Sequence, residues 1–115
     1  IPVVPSQIWE DYGTDWVQLD APRHLHLHSR RSMEVAAART GLCIEWVDYD
    51  STEFQLWGSE QYRRGIPLDS EKSYARGLEA SPFSAEDLLR FRRRAAELNA
   101  AGRGDQACFL LRRTD

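Results

Sequence analysis

Twice in this chain a segment that favours a helix ends at glycine, and an apolar segment comes next. The first helix is expected from Arg30 to Thr40, and the β-branched and aromatic run Leu42–Tyr49 follows it as a strand. The second is expected from Ala85 to about Ala101, and Ala107–Leu111 follows as the last strand. This alternation favours an α/β fold, and 115 residues suffice for one domain with one core.

The ends of both predicted helices carry local signals. Ser29 is a good N-cap for the first helix, and Gly41 ends it because glycine accepts a positive φ. Ser84 and Asp87 resemble a capping box at the start of the second helix. Apolar residues spaced three to four apart predict its buried stripe: Leu88, Phe91, Ala95 and Leu98.

The rest of the chain adds one strand and a long insertion. Ile1–Val4 is expected to be a buried strand, and a short helix is expected near Ser6–Tyr12. The insertion Thr52–Ser81 is long for a compact domain, and Trp57–Tyr62 and Lys72–Gly77 are each expected to form a turn or two of helix. The sequence therefore predicts about three strands and two main helices, and an exposed edge on the first strand would favour self-association of the chain.

Strict alternation assigns the residues of strand Leu42–Tyr49 to two faces. These are Leu42, Ile44 and Trp46 on one side, and Cys43, Glu45, Val47 and Tyr49 on the other. Because both sets are largely apolar, both faces of the strand are expected to be covered.

Composition narrows the class of protein. Apolar residues make up 42% and charged residues 29%, which is typical of a soluble globular chain, expected in the cytoplasm. A net charge of −3 argues against a nucleic-acid partner, and no apolar run approaches the ~18–20 residues of a membrane span. Cys43 and Cys108 are expected to be reduced and buried, and a disulfide between them is the alternative if their strands are neighbours.

Three histidines, His24, His26 and His28, alternate with leucines. In an extended segment alternate residues share a face, so three imidazoles would be able to hold zinc and leave a site for water. Metal ligands rarely come from one strand alone. A catalytic or substrate-binding histidine, or a polar face with ordinary backbone hydrogen bonds, are the other interpretations, and no metal site is predicted.

The insertion begins with aromatic residues interleaved with acids and amides, which is typical of a polar small-molecule pocket. The candidates are Glu53, Gln55, Trp57, Glu60 and Tyr62. The alternative is that the aromatic residues only pack the insertion onto the core. Arg23 suits an anionic substrate group, or it pairs with Asp20 or Glu53.

Two further features of the sequence give little support to a specific function. Arg103-Gly104-Asp105 spells an adhesion tripeptide, but three residues arise easily by chance and the glycine also serves to end a helix. The seven glycines are dispersed, so the sequence contains no glycine-rich phosphate or dinucleotide cradle.

Two blocks of this sequence resemble the C-terminal half of S-adenosylmethionine (SAM)-dependent methyltransferases that act on small molecules. The blocks are APRHLHLHS at 21–29 and YDSTEFQLWGSEQY at 49–62, and GDQACFLL at 104–111 is similar to the closing strand of that family. The resemblance implies a Rossmann-like sheet in which Ile1–Val4 is the fifth strand, Leu42–Tyr49 the sixth and Ala107–Arg113 the antiparallel seventh. It also implies that the SAM-binding half of the protein precedes Ile1 and that this chain alone is a poor enzyme.

The same resemblance implies the roles of individual residues. His24 is the expected base for the acceptor's proton and His28 the second choice. The expected contacts to a small-molecule acceptor are Trp16, Arg23, His26, Glu53, Gln55, Trp57 and Tyr62. The alternatives are a non-catalytic ligand-binding or interaction module with an aromatic and histidine-lined pocket, and a small metal-dependent hydrolase that uses the histidine triplet.

Overall fold

A computed structural model describes residues 1–114 of the chain. Within them the fold is mixed α/β. The helices are α1 (Gln7–Tyr12), α2 (Arg30–Arg39), α3 (Phe54–Arg63) and α4 (Ala85–Ala100), and the strands are β1 (Leu42–Tyr49) and β2 (Ala107–Arg113). Single 3-10 turns lie at Gly13–Asp15, Val17–Leu19 and Tyr74–Arg76. None of the helices in these 114 residues is both long and apolar enough to cross a membrane.

The predicted helix starts are confirmed by their caps. Ser29 Oγ accepts the backbone N–H of Ser32, and Ser84 Oγ accepts that of Asp87, each in a reciprocal capping box. The short helix α1 begins after Ser6, whose hydroxyl accepts the N–H of Trp9.

The sheet has two strands where about three were predicted. β1 and β2 pair antiparallel. The segment Ile1–Val4 makes only isolated bridges, from Pro2 to Gln106 and from Val3 to His28. The physical reason is that Pro2 and Pro5 carry no N–H, so a regular ladder cannot extend along the segment. A three-stranded Rossmann-like sheet is therefore not formed within residues 1–114.

A β-bulge changes which residues of β1 share a face. Ile44 pairs with Leu111 and Trp46 with Leu110, so two residues of β2 oppose three of β1 and Glu45 has no partner. Trp46 consequently lies on the opposite face from Ile44, contrary to the strict alternation predicted above. Trp46 and Leu110 are 52% and 51% exposed, so one face of the sheet is uncovered.

The core lies where α1, α3 and α4 meet. It contains the predicted stripe of α4 and residues from the other two helices and the loops: Ile8, Trp16, Leu56, Phe83, Leu88, Phe91, Ala95 and Leu98. Phe83 and Phe91 stack edge to face with ring centres 5.4 Å apart. The core thus joins the N-terminal loop to the long insertion and the last helix.

In the insertion, helix α3 is longer than the turn or two predicted for Trp57–Tyr62, and the segment Lys72–Gly77 forms one turn. α3 runs for 10 residues, and a Cβ added at Gly58 would lie 2.8 Å from Val17 Cγ2, so the glycine permits the loop after α1 to approach the helix closely. Downstream, the buried amide of Gln61 donates to Ser73 Oγ (3.0 Å) and accepts the N–H of Tyr74 (2.7 Å). These bonds fix the 3-10 turn Tyr74–Arg76 onto α3.

Candidate functional site

A cleft of about 520 Å³ lies between the loop after α1, helix α3 and the segment after α3. Its walls carry both polar and apolar side chains, as small-molecule sites usually do. The lining residues are Val17, Gln18, Asp20, Arg23, His24, Phe54, Tyr62, Pro67, Leu68 and Asp69. A neighbouring depression of about 400 Å³ shares Tyr62 and Pro67 with this cleft.

The loop wall of the cleft is held by hydrogen bonds from backbone N–H groups. The N–H of Val17 donates to Ser59 Oγ of α3 at 3.0 Å. Asp20 takes the left-handed conformation (φ 36°) that ends the 3-10 turn, and its carbonyl accepts the N–H groups of Arg23 and His24. The 3-10 turn and the turn at Asp20 together place Gln18, Arg23 and His24 on one wall.

Asp105 lies beneath this loop and is fully buried. Its Oδ2 accepts hydrogen bonds from Trp16 Nε1 at 2.8 Å and from Gln18 Nε2 at 3.0 Å. Its Oδ1 has no hydrogen-bond partner within residues 1–114. Burial raises the pKa of the Asp105 carboxyl above its usual value, and hydrogen bonds to the carboxylate, the largest contribution coming from Trp16, oppose that rise.

His24 is the histidine that the structure brings to the cleft. Its Nδ1 lies 3.0 Å from the carbonyl oxygen of Gln18. A carbonyl only accepts, so Nδ1 carries the proton in the neutral ring, and Nε2 retains its lone pair. Nε2 has no hydrogen-bond partner within the described residues, which makes it the nitrogen able to accept a proton from a ligand.

Arg23 pairs with Asp20 rather than with Glu53. The distance from Arg23 Nε to Asp20 Oδ2 is 3.1 Å, and both residues line the cleft. Asp69 adds a second carboxylate to the lining, so the pair leaves this site with no excess of positive charge. The arrangement does not favour the anionic substrate group considered from the sequence.

The other two histidines lie outside the cleft. His26 is exposed, and His28 Nδ1 lies 3.2 Å from Ser32 Oγ at the start of α2. The three imidazoles therefore do not share a face, because the segment from His24 to His28 is not a regular strand. Across residues 1–114, no three His, Cys, Asp or Glu side chains come together as metal ligands.

Four of the predicted acceptor contacts have structural roles. Trp16 and Gln55 are fully buried, so a ligand in the cleft cannot touch them. Trp57 packs edge to face against Phe54 and Tyr74, with ring centres 4.8 and 5.2 Å away. Glu53 does not line the cleft. It forms an ion pair with Arg92 at 3.0 Å. A hydrogen bond from its own backbone N–H, and after that the bond from Arg92, lower the pKa of the Glu53 carboxyl, so Glu53 is a weaker base.

Of the predicted contacts, Arg23 and Tyr62 line the cleft with His24. Sequence reasoning missed Gln18, Asp69 and the buried Asp105. Nothing local marks Asp105, whose partners lie 87 and 89 residues earlier in the chain.

The burial of Asp105 also removes the adhesion interpretation of Arg103-Gly104-Asp105. Arg103 donates to Gln7 Oε1 (3.0 Å) and Glu10 Oε2 (2.6 Å), so it is bound to α1. A Cβ on Gly104 would lie 2.4 Å from Asn99 Oδ1. The tripeptide is part of the packing between α4 and β2.

No family model, no curated protein and no solved structure matches this chain.

Proposed function

We propose that this chain is the acceptor-binding part of a SAM-dependent methyltransferase, with a small-molecule acceptor bound beside His24. The observation that carries the proposal is the bond from His24 Nδ1 to the Gln18 carbonyl. This bond leaves Nε2 as the proton acceptor on the wall of a cleft large enough for a metabolite.

The reaction assigned to the cleft is an in-line displacement. SAM supplies an electrophilic methyl group. The glycine-rich turn and acidic residue that the resemblance implies for SAM do not occur in this sequence, so this chain contributes the acceptor side only. An oxygen, nitrogen or carbon of the acceptor forms the new bond to the methyl carbon as the sulfur–methyl bond breaks, and the acceptor's proton passes to His24 Nε2.

Two features of the fold support the resemblance on which the proposal rests. β2 runs antiparallel to β1, and the bridge from Gln106 to Pro2 is antiparallel too, as the resemblance implies for the last strand. The loop that follows the first extended segment forms one wall of the cleft, where the resemblance implies an acceptor contact.

The charges around the cleft restrict the class of acceptor that it suits. Arg23 is neutralised by Asp20, and Asp69 remains as a second carboxylate. Phe54 and Tyr62 offer aromatic surface on the opposite wall. The cleft therefore suits a neutral or cationic compound with hydroxyl or amino groups better than a phosphorylated one.

A non-catalytic ligand-binding module is the second candidate. The residues that line the cleft all lie between positions 17 and 69 of this chain. A ligand is therefore able to bind here without SAM.

The test uses the intact protein with its upstream half and radiolabelled SAM, assayed against a panel of small hydroxyl and amino compounds. His24→Ala should lower kcat by about 10²–10⁴-fold, since the acceptor loses its base. His26→Ala is the matched control and should leave kcat unchanged, because His26 is exposed and lies outside the cleft.

A full rate in His24→Ala would remove His24 as the base. An upstream half that does not bind SAM would overturn the methyltransferase assignment and leave the ligand-binding module as the better interpretation.

A further inference from the structure

A hydrogen-bonded path joins the buried Asp105 to His24, although Asp105 does not line the cleft. Asp105 Oδ2 accepts from Gln18 Nε2 at 3.0 Å, and the carbonyl oxygen of the same Gln18 receives His24 Nδ1 at 3.0 Å. Gln18 is the only residue between the two ends of this path. Its side chain and its backbone therefore link a residue in the core to a residue on the wall.

The bond from Gln18 to Asp105 is important because few other contacts hold the Gln18 carbonyl in place. The 3-10 turn Val17–Leu19 has only three residues, and the Ser59 hydroxyl holds Val17 rather than Gln18. Trp16, the residue before this turn, is bound to the same Asp105 oxygen at 2.8 Å. Asp105 thus holds the loop at two points, Trp16 and Gln18, on either side of Val17.

A carboxylate suits this position. One oxygen accepts two donors, and hydrogen bonds to an ionised acceptor are shorter and stronger than those between neutral groups. The site is fully buried, where such bonds are also stronger than in water. The buried carboxyl keeps the loop in place, although its Oδ1 has no hydrogen-bond partner within residues 1–114.

We propose that Asp105 is a positioning residue that fixes the tautomer and orientation of His24 through Gln18. The inference rests on the proposed function only in taking His24 as the base. The path itself is a property of this chain and is testable without acceptor or SAM.

The test is nitrogen NMR of the 115-residue chain with labelled histidine, recorded where the imidazoles are neutral. The chemical shifts of Nδ1 and Nε2 report which nitrogen carries the proton. In the unmodified chain His24 should have its proton on Nδ1. In Gln18→Ala the link to Asp105 is cut, and His24 should shift to a mixture of both tautomers.

Asp105→Asn is the second variant and should produce the same direction of change with a smaller amplitude, because a neutral acceptor holds Gln18 less firmly. Gln106→Ala is the matched control, since it removes a glutamine whose amide donates to the exposed Asp50. It should leave the His24 signals unchanged. His28 is an internal reference in each spectrum because its Nδ1 partner is Ser32.

A folded Gln18→Ala variant in which His24 stays entirely protonated on Nδ1 would overturn the positioning role. The outcome is separable from that of the methyl-transfer assay. A shifted tautomer in Gln18→Ala together with a full rate in His24→Ala would retain the positioning role of Asp105 and reject His24 as the base. An unshifted tautomer together with a reduced rate in His24→Ala would retain His24 as the base and reject the positioning role.

Discussion

Asp105 shows how a single residue organises one wall of the cleft. Its carboxyl has been taken out of water, and the donors on Oδ2, Trp16 and Gln18, are both neutral. Removing an ionised carboxylate from water costs free energy that neutral donors offset only in part. Asp105 therefore holds the loop in place, but the folded chain is less stable when the Asp105 carboxyl is ionised than when it is protonated.

This cost predicts a pH dependence of folding. Burial raises the pKa of Asp105 in the folded chain, whereas the carboxyl of the unfolded chain has an ordinary value. The folded state thus binds the proton more tightly. The contribution of Asp105 to stability is full below its unfolded pKa and is lost as the pH rises through the raised pKa.

Urea denaturation of the unmodified chain and of Asp105→Asn, at steps from pH 4 to pH 7, measures the effect. The free energy of unfolding of the unmodified chain, relative to the variant, should fall as the pH rises. A difference that is the same at every pH would mean that Asp105 does not change its protonation on folding.

The residues of the cleft were predictable where the signal is local. His24 and Tyr62 lie in the blocks that carry the resemblance, and the pairing of Arg23 with Asp20 spans only three residues. Trp16 and Gln55 were predicted as ligand contacts, but their burial depends on how distant segments pack. Asp105 escaped prediction for the same reason, because its role exists only once the loop after α1 lies above it.

Helix α4 is the element that most clearly combines a local start signal with a tertiary role. Ser84 and Asp87 fix where it begins, and the stripe of Leu88, Phe91, Ala95 and Leu98 fixes which side is buried. Helices gain most of their stability from packing of the apolar side rather than from intrinsic propensity. Both signals lie within one stretch of sequence, which is why the helix was predicted almost to the residue.

Phe91→Ala should lower the free energy of unfolding by about 3–5 kcal/mol, because the ring is buried against Phe83 and leaves a cavity. Leu89→Ala on the same helix is the control. Its side chain is 62% exposed, and its loss should change stability by no more than about 0.5 kcal/mol. Chemical denaturation of both variants measures the two changes in the free energy of unfolding. Equal changes would contradict the assignment of the buried side of α4.

The strands show where local patterns stop being sufficient. The bounds of β1 follow from its β-branched and aromatic residues, but the bulge at Glu45 reverses the side on which Trp46 lies. A bulge depends on the register of the partner strand, which the sequence of β1 does not contain. Ile1–Val4 does not form the third strand that its apolar residues predict, because Pro2 and Pro5 carry no N–H and interrupt the ladder.

At the scale of the whole molecule, the sheet presents an uncovered apolar face. Trp46 and Leu110 are directly opposite each other on it, and Cys108 is exposed on the same side of β2. Cross-strand apolar pairs stabilise a sheet most when something covers them. Exposed apolar surface of this kind promotes association between copies of a chain.

Trp46→Thr should therefore weaken self-association of the chain. Threonine keeps the preference for a strand, so the fold should be retained. Leu25→Thr is the control, because Leu25 is 80% exposed but lies alone on a loop. Sedimentation velocity over a range of concentrations measures the effect, and an unchanged association constant in Trp46→Thr would show that this face does not mediate it.

The two bonds to Asp105 also determine when one wall of the cleft becomes fully held. They join residues 87 and 89 positions apart, and contacts of such long sequence separation form late because the intervening chain must first be ordered. At synthesis rates of roughly 5–20 residues per second, the ribosome needs roughly 4–17 s to proceed from Gln18 to Asp105. Over that interval a nascent chain is able to form α1, α2 and α3, and the loop that carries His24 is held by Ser59 of α3 but not yet by Asp105. The wall of the cleft that carries His24 is therefore fixed at Trp16 and Gln18 only after most of the helices have been made.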